Sequence, residues 1–341
     1  MYTNRANVSL PMAIWLASDD YLYAKTSNEI STTLLMRSPR YIIATRRAMY
    51  PEEFKPSLYV PDEITAVLNA GDIQERIPSR MGTAIHSAVE TAVETKFKSG
   101  LKLLGYPSNF SDKVLINPEP NELTEDSFPI YTEQRLYKEI DGFVISGQFD
   151  AVVNGELHDI KTASTYAYTS GCNDRKYTLQ GSIYRWLNPE LITSDDITVD
   201  FLFTDWQKFS TSNPDYPQYK VMGKKFPLMS LEDTDGYIRN KIKQLKKYWE
   251  YPLHEIPCCS PDDLFTAPPV YKYYKNGYVE GKHSTKNFSD MGSATYYKAT
   301  HGNNQGTIIV DRGKPFYCPV CDVRHPDSII PYQPTDPLLI G

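Results

Sequence analysis

Residues 143–162 read FVISGQFDAVVNGELHDIKT, and the fold turns on them. FVISGQFDAVV is rich in β-branched and aromatic residues, and ELHDIKT resumes the strand pattern. Asn154-Gly155 separates the two runs. This pair is the strongest short hairpin signal, because a type I′ turn needs positive φ at both central positions. A two-residue turn sets Val153 opposite Glu156. Positions then pair where their numbers sum to 309, which puts Asp150 opposite Asp159. Side chains alternate along a strand, so Asp159 and Lys161 share a face.

Facing carboxylates on neighbouring strands have Cβ atoms about 5 Å apart and repel one another. A divalent cation between them would compensate, with Lys161 as a fixed positive charge alongside. A solvated acidic hairpin face is the other reading of the same residues.

The motifs also match a known pattern. Gly147-Gln148-Phe149-Asp150 followed by Asp159-Ile160-Lys161 resembles the GxxD…(D/E)xK core of the PD-(D/E)xK nuclease superfamily. Gly82-Thr83-Ala84-Ile85-His86 upstream and Gln180-Gly181-Ser182-Ile183-Tyr184 downstream are similar to the helix-borne histidine and QxxxY motif of its RecB-like branch. That branch includes phage exonucleases and CRISPR-associated adaptation nucleases. All four pieces stand in the family's order over residues 82–184.

The 341 residues carry a net charge of −6, with 40% hydrophobic and 23% charged positions, a globular balance. A chain of this length holds two domains, or one core with an appendage. Net negative charge excludes a generally basic nucleic-acid coat, so DNA contact requires a local basic groove. The 26 Tyr offer rings for packing or base stacking. MYTNRANVSL lacks the pattern of a signal peptide, and no run reaches the ~20 apolar residues of a membrane span. The expectation is a cytoplasmic protein without membrane contact, in the host bacterial cytoplasm if phage-encoded. Five Cys in such a chain read as metal ligands or free thiols before disulfides.

Three segments follow. Residues 1–80 are helical and irregular. Ser31 caps a helix through TTLLMRSPRYIIATRRAMY, interrupted near Pro39. Arg37, Arg40, Arg46 and Arg47 lie along it as a solvated basic face or as contacts to the DNA backbone. RecB-like phage nucleases often begin with a similar helix, which favours DNA contact. Residues 81–251 form the nuclease core. Its clearest helix covers 81–99, with Ile85, Val89, Ala92, Val93 and Phe97 as an apolar stripe and His86 at the edge. A Pro- and Asn-containing loop follows over 100–130. Glu133 stands where related nucleases carry an extra acid, yet reads as a plain surface residue. Tyr177, Gln180, Tyr184 and Leu187 share one helical face. ITVDFLFTDW (197–206) and YKVMGKKFPL (219–228) alternate as partner strands. Ser230 and Asp233 open a last helix.

Residues 252–341 are richer in Pro, Tyr and Gly, and YKYYKNGYVEG is a second Asn-Gly hairpin candidate. Cys258-Cys259 and Cys318-Pro319-Val320-Cys321 have metal-knuckle character, and Cys172 is unrelated. RecB-like nucleases frequently pin a C-terminal segment with clustered Cys, some through an iron–sulfur cluster. That cluster usually takes one Cys from before the histidine helix, and this sequence has none there. Zn²⁺ held by Cys258 or Cys259, Cys318, Cys321 and His325 is the alternative, as are metal-free thiols.

The expected fold is α/β (α+β): a mixed central sheet flanked by helices, a restriction-endonuclease-like core, with a small Cys-containing C-terminal lobe. The resemblance implies a metal-dependent DNA nuclease, an exonuclease of phage recombination, repair or DNA processing. Asp150, Asp159, the Ile160 carbonyl and His86 would hold Mg²⁺ or Mn²⁺, hard cations that prefer oxygen ligands. Lys161 would steady the attacking water or the developing charge, with Gln180 and Tyr184 lining the cleft and touching DNA or the surroundings of Lys161. DNA is the expected partner, together with a recombination or single-strand-binding protein. The alternatives are a catalytically silent DNA-binding or assembly factor on a nuclease scaffold, and a structure-specific endonuclease.

Overall fold

Asn154 and Gly155 adopt φ values of 48° and 87°, so both residues of the turn are left-handed. The strands they join, Ala151–Val153 (β6) and Glu156–Ala163 (β7), pair as Ala151↔His158, Val152↔Leu157 and Val153↔Glu156, the register summing to 309. The computed structural model describes residues 2–18, 24–62, 64–65, 71–260, 263, 270–279, 282–311, 318 and 320–321. The described chain divides into two compact units: Met1–Met36 with Thr45–Trp249, and Arg37–Ala44 with Glu250–Gly341. The 1–80 segment and the 81–251 core therefore fall largely within one unit.

In the first unit a six-stranded mixed sheet is flanked by helices. Around the hairpin it adds Val114–Ile116 (β2), Phe128–Thr132 (β3), Asp196–Phe203 (β8) and Val221–Pro227 (β9), in the order β2-β3-β6-β7-β8-β9. β7 and β8 run parallel and the edge strand β9 antiparallel to β8. Leu157, Asp159 and Lys161 share one face of β7. On that side Tyr177 and Tyr184, from helix Asp174–Leu187, join Val199, Phe201 and Phe203 of β8 in the core, with Tyr177 edge-on to Phe201 at 5.6 Å between centroids.

The strand before the hairpin departs from expectation. FVISGQFDAVV is not continuous. Phe143–Gln148 (β5) leaves the large sheet and pairs with Glu29–Ser31 (β1) and Arg135–Ile140 (β4) in a separate three-stranded sheet, ordered β1-β5-β4. The break falls at Phe149-Asp150. Phe149 is fully buried, and its N–H donates to the Gln134 carbonyl; the Asp150 carbonyl accepts from the Glu133 N–H at 3.0 Å. The transition thus satisfies its backbone locally while the chain changes sheets. Gly147 lies just before it, and a Cβ there would stand 2.5 Å from Thr32 Oγ1 and 2.8 Å from Tyr184 Cε1. Close approach, not backbone angle, requires glycine at this point of the GxxD motif.

Helix Ile77–Leu103 is longer than the sequence pattern suggested, and its stripe is only partly covered: Val89 keeps 40% of its surface exposed. Ser31 caps Thr32–Leu35 by accepting the Leu34 N–H, and Pro39 opens the next helix, Pro39–Met49. Ser230 caps Leu231–Tyr248, whose Ile238, Ile242 and Leu245 are buried.

The second unit contains Val270–Tyr274 (β10) between Lys286–Phe288 (β11) and Thr307–Asp311 (β12), with helix Met291–His301. β10 and β11 pair as Tyr271↔Phe288. A two-residue turn at Asn276-Gly277 would require a register six lower, so that expected hairpin is replaced by a long connection. Among the described residues no helix is long and apolar enough to cross a membrane.

Candidate metal and catalytic site

His86 projects from helix Ile77–Leu103 to β7, where its Nε2 lies 2.9 Å from the Ile160 carbonyl oxygen. A carbonyl can only accept, so Nε2 carries the proton. In the neutral ring Nδ1 then presents a lone pair. It faces Asp150 Oδ1 at 3.4 Å and Glu133 Oε1 at 3.8 Å. The three donor atoms all lie within 4.8 Å of one another. A lone pair against two carboxylates is repulsive, and either a proton on Nδ1 or a cation among the three atoms relieves it.

Each acid is held by the backbone break described above. Asp150 Oδ2 accepts the Ile160 N–H at 2.6 Å, fixing the carboxylate to β7. Burial, then the Asp159 charge, pushes the Asp150 carboxyl up to about 6, against the opposing pull of His86 and Lys161. Glu133 sits between β3 and β4 with a left-handed φ of 49°. Its Oε2 accepts the Gln148 amide at 2.7 Å, and Gln148 Oε1 accepts from Arg135 Nη2 at 3.1 Å. Burial also raises the Glu133 carboxyl above its usual range.

Asp159 and Lys161 form the adjacent half of the site. Lys161 Nζ lies 2.9 Å from Asp159 Oδ1 and 2.8 Å from Oδ2. Burial disfavours the ammonium, but the Asp159 and Asp150 charges outweigh it and hold the pKa of Lys161 above its ordinary value. Its side chain retains 30% exposure, against 3% for Asp159. Gln180 Nε2 contacts Asp159 Oδ1 at 3.3 Å and Tyr184 Oη at 3.0 Å.

The structure thus gathers His86, Asp150, Ile160, Asp159, Lys161, Gln180 and Tyr184, but redistributes their parts. The Ile160 carbonyl accepts from the imidazole. Asp159 directs both oxygens to Lys161 and Gln180, outside that trio. Gln180 and Tyr184 are buried, and Gln180 joins the surroundings of Lys161 through Asp159. Glu133, expected at the surface, takes the third donor position, and Gln148 holds it. The sequence signal for Glu133 was its family position alone, since nothing local foretells a left-handed Glu.

Each of the four arginines has a partner within its own unit. Arg46 Nε donates to the Ser27 carbonyl at 3.0 Å, and Arg47 Nη2 to the Trp249 carbonyl at 2.7 Å. Arg40 Nη1 meets Cys258 Sγ at 3.4 Å, and Arg37 pairs with Asp263 at 2.7 Å. Arg40, Arg46 and Arg47 are buried. Arg46 and Arg47 spend their guanidinium groups on interior carbonyls, which takes these two away from the expected DNA-binding role.

In the second unit Cys258, Cys259, Cys318 and Cys321 are buried and unbonded to one another, and Cys172 of the first unit is exposed. Cys259, Cys318 and Cys321 place their sulfurs within 4.8 Å of one another. His325 lies outside the described residues.

No family model matches the chain, and no curated protein matches it. Solved structures resemble it weakly, among them these two. One is the crystal structure of SSO0001, 16% identical, covering 68% of this chain and 81% of that one with a TM-score of 0.35. The other is a phage-related exonuclease from Haemophilus somnus 129PT, 17% identical, covering 48% of this chain and 80% of that one with a TM-score of 0.25.

Proposed function

We propose that the chain is a divalent-metal-dependent deoxyribonuclease acting through His86, Glu133, Asp150, Asp159 and Lys161. The observation that carries this reading is the His86–Glu133–Asp150 donor set, whose atoms lie within 4.8 Å of one another, beside the Lys161–Asp159 pair. One imidazole lone pair and two carboxylates raised by burial fit a hard cation, and Mg²⁺ or Mn²⁺ suits such a set. When bound, the cation lowers the pKa of a coordinated water and neutralises charge on the scissile phosphodiester.

The remaining roles belong to the protein. Ile160 fixes His86 through its carbonyl and Asp150 through its N–H, so one residue of β7 aligns two ligands. Gln148 sets the Glu133 carboxylate. The raised pKa of Lys161 keeps it cationic at neutral pH, so its part is electrostatic: it attracts a phosphate oxygen and stabilises developing negative charge, without removing a proton. Asp159 orients that ammonium, and Gln180 and Tyr184 orient Asp159.

End-labelled linear duplex, nicked circle and single strand, each incubated with Mg²⁺, Mn²⁺ or EDTA, test the reading. Cleavage with metal and none in EDTA is expected, with products shortening from ends if the enzyme is an exonuclease in phage recombination or repair. Internal products would make it an endonuclease. Binding without cleavage under every condition would make the chain a silent DNA-binding or assembly factor and overturn the proposal. A recombination or single-strand-binding protein is the class of partner this activity would serve.

A further inference from the structure

The cysteine cluster of the second unit lies outside the proposed hydrolytic chemistry. Cys318 Sγ stands 3.6 Å from Cys259 Sγ, and these two sulfurs with Cys321 Sγ all lie within 4.8 Å of one another. A tetrahedral zinc site with Zn–S bonds of 2.3 Å has a sulfur–sulfur edge of about 3.8 Å. An iron–sulfur cluster spreads its thiolates over different irons, so three cysteine sulfurs cannot all be this close. In a four-iron cluster each thiolate holds its own iron. In a two-iron cluster the third thiolate lies across the core from the first two. The spacing therefore fits a single ion and does not fit the cluster that the family resemblance suggests.

Two backbone contacts support the same arrangement. The Cys321 N–H donates to the Cys318 carbonyl at 3.3 Å, and the Cys259 N–H donates to Cys321 Sγ at 3.4 Å. The second contact aims a donor at sulfur, which favours the thiolate form.

Arg40 supplies an independent observation. It is 7% exposed, and its Nη1 lies 3.4 Å from Cys258 Sγ. A guanidinium donating to a sulfur favours its thiolate form over the neutral thiol. Four thiolates around one Zn²⁺ carry a net charge of −2, and a cation against one of those sulfurs offsets part of it. Cys258 is buried, next in sequence to Cys259, and is the sulfur that Arg40 touches. It stands outside the trio, so its sulfur must close on the ion to complete the coordination.

We propose that the second unit binds one zinc ion through Cys259, Cys318 and Cys321 with Cys258 as the fourth thiolate, Arg40 balancing the charge, and that no iron–sulfur cluster forms. The site ties residues 258–259 to residues 318–321 and would contribute to folding, because the ligand set does not exist in the unfolded chain.

The test uses the full chain, purified anaerobically from cells supplied with both iron and zinc. One equivalent of zinc per chain, without iron or acid-labile sulfide, is expected. Replacing the zinc with Co²⁺ should give the visible bands of a tetrahedral thiolate site. In Cys258→Ser the thiolate-to-cobalt band should lose about a quarter of its intensity, one sulfur in four. Stoichiometric iron with sulfide overturns the proposal, as does metal-free protein. A cobalt spectrum unchanged in Cys258→Ser overturns the four-thiolate assignment. Metal content of the unaltered chain decides between zinc and cluster even if the variant fails to fold. None of these readouts depends on nuclease activity, so this proposal and the hydrolytic one fail separately.

Discussion

Asp150→Asn should make the metal-free protein more stable at neutral pH, although it removes a group proposed as essential. In the folded chain the carboxyl titrates at about 6 instead of 3.8, with burial the main cause and Asp159 the next. At about 1.36 kcal/mol per pH unit, keeping Asp150 ionised costs the fold about 3 kcal/mol. Asparagine removes that charge and keeps an oxygen to accept the Ile160 N–H. It weakens that bond from charge-assisted to neutral, a loss of about 1 kcal/mol. The expected net gain is about 1–2 kcal/mol. Its pH dependence follows from linkage. Between about 3.8 and 6 the folded state holds a proton that the unfolded chain has released, so the parent loses stability as pH rises through this window. Below the window the parent carboxyl is protonated and the advantage of the variant disappears. Urea denaturation of both proteins in EDTA, across pH 4 to 7.5 at fixed ionic strength, measures the difference. Added Mn²⁺ should reverse its sign by stabilising only the parent. A variant less stable than the parent at pH 7.5, or a difference that does not change with pH, would refute the reasoning.

Glu133→Gln should weaken Mn²⁺ binding by about 10- to 100-fold in calorimetric titration, and parental affinity would remove Glu133 from the ligand set. Because burial raises this carboxyl, binding to the parent should also begin to fail at a higher pH than an ordinary glutamate would allow. Gly147→Ala forces a Cβ against Thr32, Tyr184 and Leu187, and the overpacking should cost about 1–3 kcal/mol in thermal denaturation. Arg47→Met strands the Leu58 and Trp249 carbonyls and should cost about 2–3 kcal/mol while leaving DNA affinity unchanged; a loss of affinity in folded protein would restore Arg47 as a phosphate contact.

Much of the site was legible because it is built from short-range rules. Asn154-Gly155 sets the turn, the turn sets the register, and strand alternation places Asp159 and Lys161 on one face. The i, i+4 spacing likewise puts Gln180 and Tyr184 together. What stayed hidden depends on contacts between distant segments. The sheet switch at Phe149-Asp150 arises because β5 finds partners in β1 and β4, and no local pattern records that choice. The left-handed Glu133 beside Asp150 is a product of the same switch. The arginines misled for a related reason: guanidinium groups read as surface charge, yet Arg46 and Arg47 satisfy carbonyls inside the fold. In the second unit the Cys spacing suggested a metal knuckle, but the sulfur distances that bear on its contents join residues far apart in the chain.

The most direct measurement is single-turnover cleavage of labelled DNA by Lys161→Ala at saturating Mg²⁺, with DNA binding followed separately in Ca²⁺. Loss of the fixed ammonium should slow cleavage by about a hundred-fold or more while binding changes little. Cleavage at the parental rate by folded Lys161→Ala would contradict the assignment of hydrolysis to this site.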